Sequence, residues 1–282
     1  MRTGGGQGLG RHGDPGGAAA WRVLSDVPRD GPWNMAVDEA IALAVEAGQV
    51  APTIRFYVWE TPTVSLGRLQ TAQRAVERAA CERLGVKVVR RPTGGRAVLH
   101  DDELTYSVCV PLDRSWAGLS VGDSFCRIAE GLLMGLRRLG IAATLGAAGD
   151  APSGSGGAEA CFLMPRMPAV LVAGKKLIGS AQRRFGGAIL QHGSLLLGAN
   201  LAMHQAVFPG WPREDPGGGV TWLKALLPEV PTRPAIERAV MDGWEAALNI
   251  RAMLGELTTS EHRDAERLVA ARYGTPAWTW RR

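Results

Sequence analysis

Three short stretches of this chain combine residue types that could do chemistry. The first is Arg90-Arg91-Pro92-Thr93-Gly94-Gly95-Arg96-Ala97-Val98-Leu99-His100-Asp101. A glycine pair lets backbone approach a bound group closely and offers it N–H donors, and Arg90, Arg91 and Arg96 could hold a carboxylate or a phosphate. A tight turn carrying solvated arginines is the alternative. The second is Gly174-Lys175-Lys176-Leu177-Ile178-Gly179-Ser180-Ala181-Gln182-Arg183-Arg184. In a strand, Lys176, Ile178, Ser180 and Gln182 share one face, which either lines a site or meets solvent. The third is Ala160-Cys161-Phe162. A cysteine at a loop–strand junction beside a cation has a lowered pKa and becomes a nucleophile; otherwise Cys161 is a buried structural thiol.

The elements that must carry these groups follow from periodicity. Strands are expected over Trp21–Val27, over Ile54–Val58 by alternation, over Thr63–Leu66 and over Val86–Arg90. Asn34 is expected to cap a helix bearing Val37, Ile41, Ala44 and Val45. Arg74–Leu84 is expected to be helical and to stop at Gly85. A strand over Leu104–Val110 precedes a helix with Phe125, Ile128, Leu132, Leu136 and Leu139 at helical spacing, ending at Gly140. Ala169–Ala173 and Lys176–Gln182 flank a hairpin turn at Gly174-Lys175. Ala188–Leu197 reads as a strand, and 233–249 and 260–272 as helices. Strands and helices do not alternate cleanly. The pattern therefore excludes a doubly wound parallel sheet and favours an α+β fold with mixed or antiparallel sheets. Residues 145–160 are mostly Gly, Ala and Ser, and are expected to be a flexible loop that could cover a bound chain.

Composition narrows the class. The 282 residues are 46% hydrophobic and 21% charged, which is ordinary for a globular chain. No apolar run approaches the roughly 18–20 residues of a membrane helix, and the Gly-rich first twenty residues lack the apolar core of a secretory signal, so a cytoplasmic protein is expected. The four cysteines, Cys81, Cys109, Cys126 and Cys161, form no C-x-x-C pair and suggest neither a disulfide framework nor a zinc site. No P-loop, H-E-x-x-H or EF-hand pattern occurs. The net charge of +5 suits an acidic protein partner, and no basic run interleaved with aromatics points to nucleic acid.

Taken in order, the Arg90–Asp101 segment, Ala160-Cys161-Phe162, Lys176-Leu177-Ile178-Gly179-Ser180-Ala181-Gln182-Arg183 and Gln191-His192-Gly193-Ser194 resemble one family. It is the group that joins lipoate-protein ligase A with octanoyltransferases of the LipM type, within the biotin/lipoate ligase superfamily. Asn34-Met35-Ala36-Val37-Asp38-Glu39-Ala40 and Val64-Ser65-Leu66-Gly67-Arg68-Leu69-Gln70 resemble it too. The resemblance spans roughly residues 21–250. It implies a class II synthetase-like catalytic domain there, after a tail at 1–20 and before a helical extension at 251–282. ATP-dependent ligases of this group typically carry a third glycine where Arg96 stands and lack a cysteine in the Cys161 context. Thr-Gly-Gly-Arg and Ala-Cys-Phe are similar to the transferase type.

That resemblance implies an acyltransferase with neither ATP nor metal as cofactor. Cys161 would carry an acyl thioester and Lys176 would lower its pKa. Arg91, Thr93, Gly94, Gly95, Arg96, His100, Gly179, Ser180 and Gln182 would bind substrate. The implied donor is octanoyl-acyl carrier protein, and the implied acceptor is a lysine of glycine cleavage H protein or of a lipoyl domain. His100 and His192 are expected to make contacts or pack in strands rather than serve as base. Cys81, Cys109 and Cys126 are expected in the core. Two enzyme alternatives stay open, an ATP-dependent lipoate ligase and an amidotransferase moving octanoyl from H protein to an E2 subunit. A carrier-binding module without turnover is the non-enzyme alternative.

Overall fold

The computed structural model describes residues 18–113, 115–146, 168–214, 217 and 219–281. Cys161, nearly all of the 145–160 stretch and most of the expected tail lie outside the described residues. In chain order the elements are β1 (Ala19–Ser25), α1 (Gly31–Glu46), β2 (Thr53–Tyr57), β3 (Thr63–Leu66), α2 (Ala72–Ala75), α3 (Arg78–Leu84), β4 (Lys87–Arg90), β5 (Val98–His100), β6 (Glu103–Pro111) and α4 (Val121–Arg138). They continue with β7 (Thr144–Gly146), β8 (Ala169–Val172), β9 (Lys175–Phe185), β10 (Ala188–Leu196), α5 (Leu201–Val207), α6 (Leu223–Leu226), α7 (Arg233–Leu248), β11 (Ile250–Leu254), α8 (Thr259–Leu268) with a π-helical turn at Val269–Tyr273, and α9 (Pro276–Thr279).

Among the described residues the strands form an eight-stranded sheet, β11-β1-β2-β6-β10-β9-β8-β7, and a three-stranded sheet, β4-β3-β5. β1 runs parallel to both β11 and β2, whereas β2-β6-β10-β9-β8-β7 is antiparallel throughout. The expected α+β architecture with mixed sheets is the one observed. One face of the large sheet is covered by α4 and α7, the other by α1, on which α8 packs in turn. The small sheet shares a separate core with α2, α3 and α5.

α4 forms because Ser120 and Asp123 close a reciprocal cap and Phe125, Ile128, Leu132 and Leu136 recur on one buried face. Full burial of each such side chain is worth roughly 1.5–3 kcal/mol. Three sequence expectations are corrected. Asp30, not Asn34, caps α1, accepting from Trp33 N–H at 2.8 Å with Pro32 in the first turn. Asn34 is buried inside the helix, bonded to carbonyls of Arg29 and Val58. The helix expected over 74–84 is two helices, because Val76 is extended and buries its side chain (φ −141°, ψ 146°) while Glu77 N–H reaches Val207. Gly85 does end α3, in the left-handed conformation. The hairpin turn falls at Ala173-Gly174, one residue earlier than expected. Ile250 begins β11, which pairs with β1 in the large sheet.

α4 and α7 approach closely enough that their glycines touch backbone. A Cβ on Gly243 would lie 2.2 Å from the Gly131 carbonyl and 2.5 Å from Gly135 N. Gly243→Ala should therefore destabilise by about 1–3 kcal/mol from overpacking, against a helix-propensity gain of about 1 kcal/mol. A urea midpoint below wild type checks this; a rise would mean the helices can separate without cost.

Candidate functional site

The centre of the site is a carboxylate closed off from solvent. Asp38 points from α1 onto the face of the large sheet and is fully buried. Its Oδ1 accepts from Arg55 Nη1 (2.8 Å) and Ser107 Oγ (2.9 Å), and its Oδ2 accepts from Tyr57 hydroxyl (2.9 Å) and His192 Nδ1 (3.0 Å). Arg55, from β2, is also fully buried and spends its other donors on Asn34 and Asp26. Burial alone would push Asp38 upward; the hydrogen bond from His192 and the Arg55 charge reverse that and hold the carboxyl below its usual range. Burial, then the Asp38 charge, push the Tyr57 phenol well up.

Because a carboxylate only accepts, His192 must carry its proton on Nδ1. Its Nε2 is then the acceptor for Thr93 hydroxyl at 2.6 Å. Burial acts most strongly on the ring and leaves its pKa lowered, so the ring is neutral at neutral pH. Thr93 Oγ1 in turn accepts from Arg91 Nε at 3.2 Å. A second relay starts on the same guanidinium. Arg91 Nη1 donates to Ser65 Oγ (3.2 Å), which lies 2.8 Å from His100 Nε2, and His100 Nδ1 faces Glu103 Oε1 at 3.4 Å. Glu103 is buried and accepts from Thr105 and Ser194 hydroxyls, and Trp59 stacks on His100 with centroids 4.1 Å apart. Arg91 thus joins one complete hydroxyl–imidazole–carboxylate series to a second whose last step, His100 to Glu103, is a charge contact without a hydrogen bond.

The remaining Arg91 donors fix the glycine loop. Nη2 bonds the carbonyls of Gly94 and Arg96, both at 2.7 Å, and Nη1 bonds the Ser65 carbonyl at 2.8 Å. Gly95 turns with φ +87°, and its carbonyl lies where a Cβ on Gly67 would be, 1.9 Å away, so the loop crosses β3's end backbone against backbone. Arg90, expected as an anion ligand beside Arg91, faces the other way. It is fully buried and donates to the carbonyls of Gly67, Gln70, Trp278, Thr279 and Arg281.

A narrow cleft, with an enclosed volume of about 30 Å³, lies above this floor. Its carbon walls are Met35, Tyr57, Trp59, Val98 and Ala181, and its polar lining includes Arg91, His100, Thr105, His192 and Ser194. Gly179, Ser180 and Gly193 line it along β9 and β10. Of the residues expected to bind substrate, Arg91, His100, Gly179 and Ser180 meet at the cleft, and Thr93, Gly94, Gly95 and Arg96 form the loop that Arg91 organises. Gln182 lies elsewhere: it bridges Ser124 of α4 and Gln191. The Ser180 hydroxyl also turns to the α4 side, 2.7 Å from Tyr106 hydroxyl. Lys176 is buried where residues 219–221 pair with the start of β9. Cys81 and Cys109 are buried, with burial pushing Cys81 to about 11, while Cys126 is only half-buried rather than in the core.

Asp38, Arg55, Glu103 and Trp59 were not picked out as site residues. A signal existed for one: Asn34 and Asp38, four apart, are the polar positions of a helix otherwise apolar on that face, which marks a buried polar contact. Among the described residues no group of three or more His, Cys, Asp or Glu side chains is placed to hold a metal, and no helix is long and apolar enough to cross a membrane.

A cleft with polar lining over the central strands of the large sheet, beside a glycine loop, is the candidate site, and comparison with known proteins gives the family. Residues 30–245 match the model of the lipoyl protein ligase A/B catalytic domain. The octanoyltransferase LipM of Kyrpidia tusciae is 41% identical over 93% of this chain and 99% of that protein. A crystal structure of lipoate-protein ligase A bound with ATP superposes with a TM-score of 0.77 at 25% identity, covering 93% of this chain and 98% of that one. A bi-partite lipoate protein ligase from Thermoplasma acidophilum, studied with its E2 lipoyl domain, shares the fold with a TM-score of 0.77 at 24% identity, covering 93% and 96%. The chain belongs to the lipoyl protein ligase A/B catalytic domain family.

The Asp38 network makes stability depend on pH in a stated direction. Asp38 and His192 both hold protons less readily folded than unfolded, so the unfolded chain takes up protons first and acid destabilises. The His192 share is complete above pH about 6.5 and is lost as pH falls toward the ring's lowered folded value; the Asp38 share is lost below about 3.9. The urea midpoint should fall between pH 7 and 5, and His192→Gln should flatten that fall; an unchanged slope would mean that His192 is not buried in its neutral form. Asp38→Asn should cost about 3–5 kcal/mol at pH 7 by breaking the fully buried half of the Arg55 pairing and leaving the guanidinium with only the part-exposed Asp26 as carboxylate partner.

Proposed function

We propose that this protein is an octanoyltransferase of lipoate biosynthesis, moving an octanoyl group from the thioester of an acyl carrier protein to a lysine of a lipoate-accepting protein. The observation that carries the reading is near full-length similarity to a LipM octanoyltransferase in a chain that places Cys161 fifteen residues before Lys176. The acceptor is a glycine cleavage H protein or a lipoyl domain. A relative of this fold studied together with an E2 lipoyl domain supports an acceptor of that kind.

Chemistry proceeds in two exchanges. The Cys161 thiolate, its proton held on the Lys176 ammonium, attacks the thioester carbonyl; a new S–C bond forms, the old one breaks, and the departing carrier thiolate takes that proton back from Lys176 and leaves as a thiol. The acceptor lysine, as free amine, then attacks the acyl-enzyme. An amide N–C bond replaces the Cys161 S–C bond, and the amine proton passes to the departing thiolate. The first step exchanges one thioester for another and is nearly isoenergetic. The second runs downhill from thioester to amide, so neither ATP nor a metal is required. Gly94 and Gly95, pinned by Arg91, offer backbone N–H groups to the oxyanion, where one donor is typically worth about 2.7–4 kcal/mol. The carbon walls of the cleft take the alkyl chain, and exclude water from the intermediate.

Incubation with octanoyl-acyl carrier protein, without ATP or acceptor, should give an intact mass increased by one octanoyl group. Peptide mapping should place it on Cys161, and Cys161→Ala should abolish both adduct and transfer. Adenylate formation from ATP and lipoate, with no adduct, would instead place the chain among the ATP-dependent ligases.

A further inference from the structure

On the outer side of the glycine loop the chain gathers arginines that make no ion pair among the described residues. Arg68 N–H bonds the Thr93 carbonyl at 2.8 Å, Arg183 Nη1 reaches the Pro92 carbonyl at 3.3 Å, and Arg281 donates to the Arg68 carbonyl. Arg183 and Arg281 therefore bring their guanidinium groups to one turn of backbone from residues far apart in the chain, and Arg68 is fixed to that same turn by its own backbone. Arg281 is held flat on the Trp278 ring, 3.9 Å from its centroid. None of Arg68, Arg183 or Arg281 has a carboxylate within ion-pair distance among the described residues. The acid nearby is Glu39, whose oxygens are already taken by Arg272 and Tyr273. The Nε of Arg68 is buried and has no hydrogen-bond partner in the structure. A buried donor without a partner is costly, and like charges held together cost more. Burial and then the neighbouring Arg68 charge hold Arg183 and Arg281 below the ordinary arginine value, so the crowding is felt by the groups themselves.

An anion with several oxygens resolves both costs at once, and planar guanidinium forks match a phosphate. The loop that carries this cluster on one side is fixed to the cleft on the other, through Thr93 and His192. We propose that Arg68, Arg183 and Arg281 form a phosphate-binding site at the rim of the cleft, and that its occupant is the phosphate of the pantetheine arm on which a carrier protein presents its acyl thioester. The assignment of the occupant rests on the octanoyltransferase reading; the site itself rests on the arginines. It anchors the far end of the arm while the thioester end enters the cleft. Part of the donor's affinity then comes from a group remote from the reacting carbonyl.

The test compares two donors that differ by that group alone, octanoyl-4′-phosphopantetheine and octanoyl-pantetheine. Wild type should prefer the phosphorylated donor by about ten-fold or more in kcat/KM, chiefly through KM. Arg68→Gln and Arg281→Gln should shrink that ratio toward one by raising KM for the phosphorylated donor, and Arg68→Lys should restore part of it. A readout without turnover guards against misfolded variants: 4′-phosphopantetheine should raise the wild-type thermal midpoint and pantetheine should not. Equal use of both donors by wild type, with equal thermal shifts, overturns the site. A shift with ATP but none with phosphopantetheine overturns the assigned occupant. Transfer from neither donor, with the phosphate-selective shift retained, removes the octanoyltransferase reading and leaves the phosphate site standing.

Discussion

Burying the Asp38 carboxylate takes a full charge out of water, a cost of several kcal/mol that only paired and hydrogen-bonded charge can offset. Four donors from three strands meet that demand, and their positions constrain much of the molecule. α1 must lie with Asp38 over β2, β6 and β10. β2 must turn Arg55 and Tyr57 inward on the α1 side while Ile54 and Phe56 pack on the α4–α7 side. A slip of one residue in β2 would exchange those faces and bury the apolar pair against the carboxylate. The network therefore does little for raw stability relative to an apolar core, but it fixes a register.

From that fixed point, order spreads to the loop through hydroxyls and rings rather than through packing. His192 is set by Asp38, Thr93 by His192, and Arg91 by Thr93 on one side and Ser65 on the other. Arg91 then holds the carbonyls of Gly94 and Arg96, which directs the N–H side of the same peptides away from it. A loop rich in glycine would otherwise sample many conformations. Here its shape is decided before any ligand arrives, which is what preorganised stabilisation of charge requires.

Much of the architecture was legible because it depends on local periodicity. Strands β1 to β3, β6, β9 and β10 and helices α4 and α7 follow from alternation or from apolar residues three and four apart, and Gly85 ends its helix as its freedom at positive φ suggests. What failed was decided at a distance. Asn34 looks like a cap by type, yet Arg55 and the carbonyls of Arg29 and Val58 claim it, and Asp30 before Gly31-Pro32 takes the capping role. Val76 is extended because α5 offers Glu77 a backbone partner from 130 residues on. In the site, Arg90 and Arg91 are indistinguishable by type and adjacent in sequence; strand alternation sends one to the cleft and the other into a cage of carbonyls. Gln182 was grouped correctly with Ser180 by the period of two, but that face is the one under α4. Glu103 and Trp59 carry no local signal at all, since their roles exist only through Ser194 and His100.

The cage around Arg90 ties the glycine loop to carbonyls at Thr279 and Arg281, up to 191 residues downstream. On the ribosome this has a temporal meaning. Chains fold roughly from the N-terminus as they emerge, and the three strands that carry the loop are all made before residue 101. Yet the loop's last ligands are not made until residue 281. Until then Arg90 faces water or transient partners, and the nascent chain carries a sheet without a finished site. Assembly of the site therefore waits for residue 281, and a polypeptide stalled in α7 would display Arg68, just past β3, and Arg183 of β9 without the contacts that Arg281 completes.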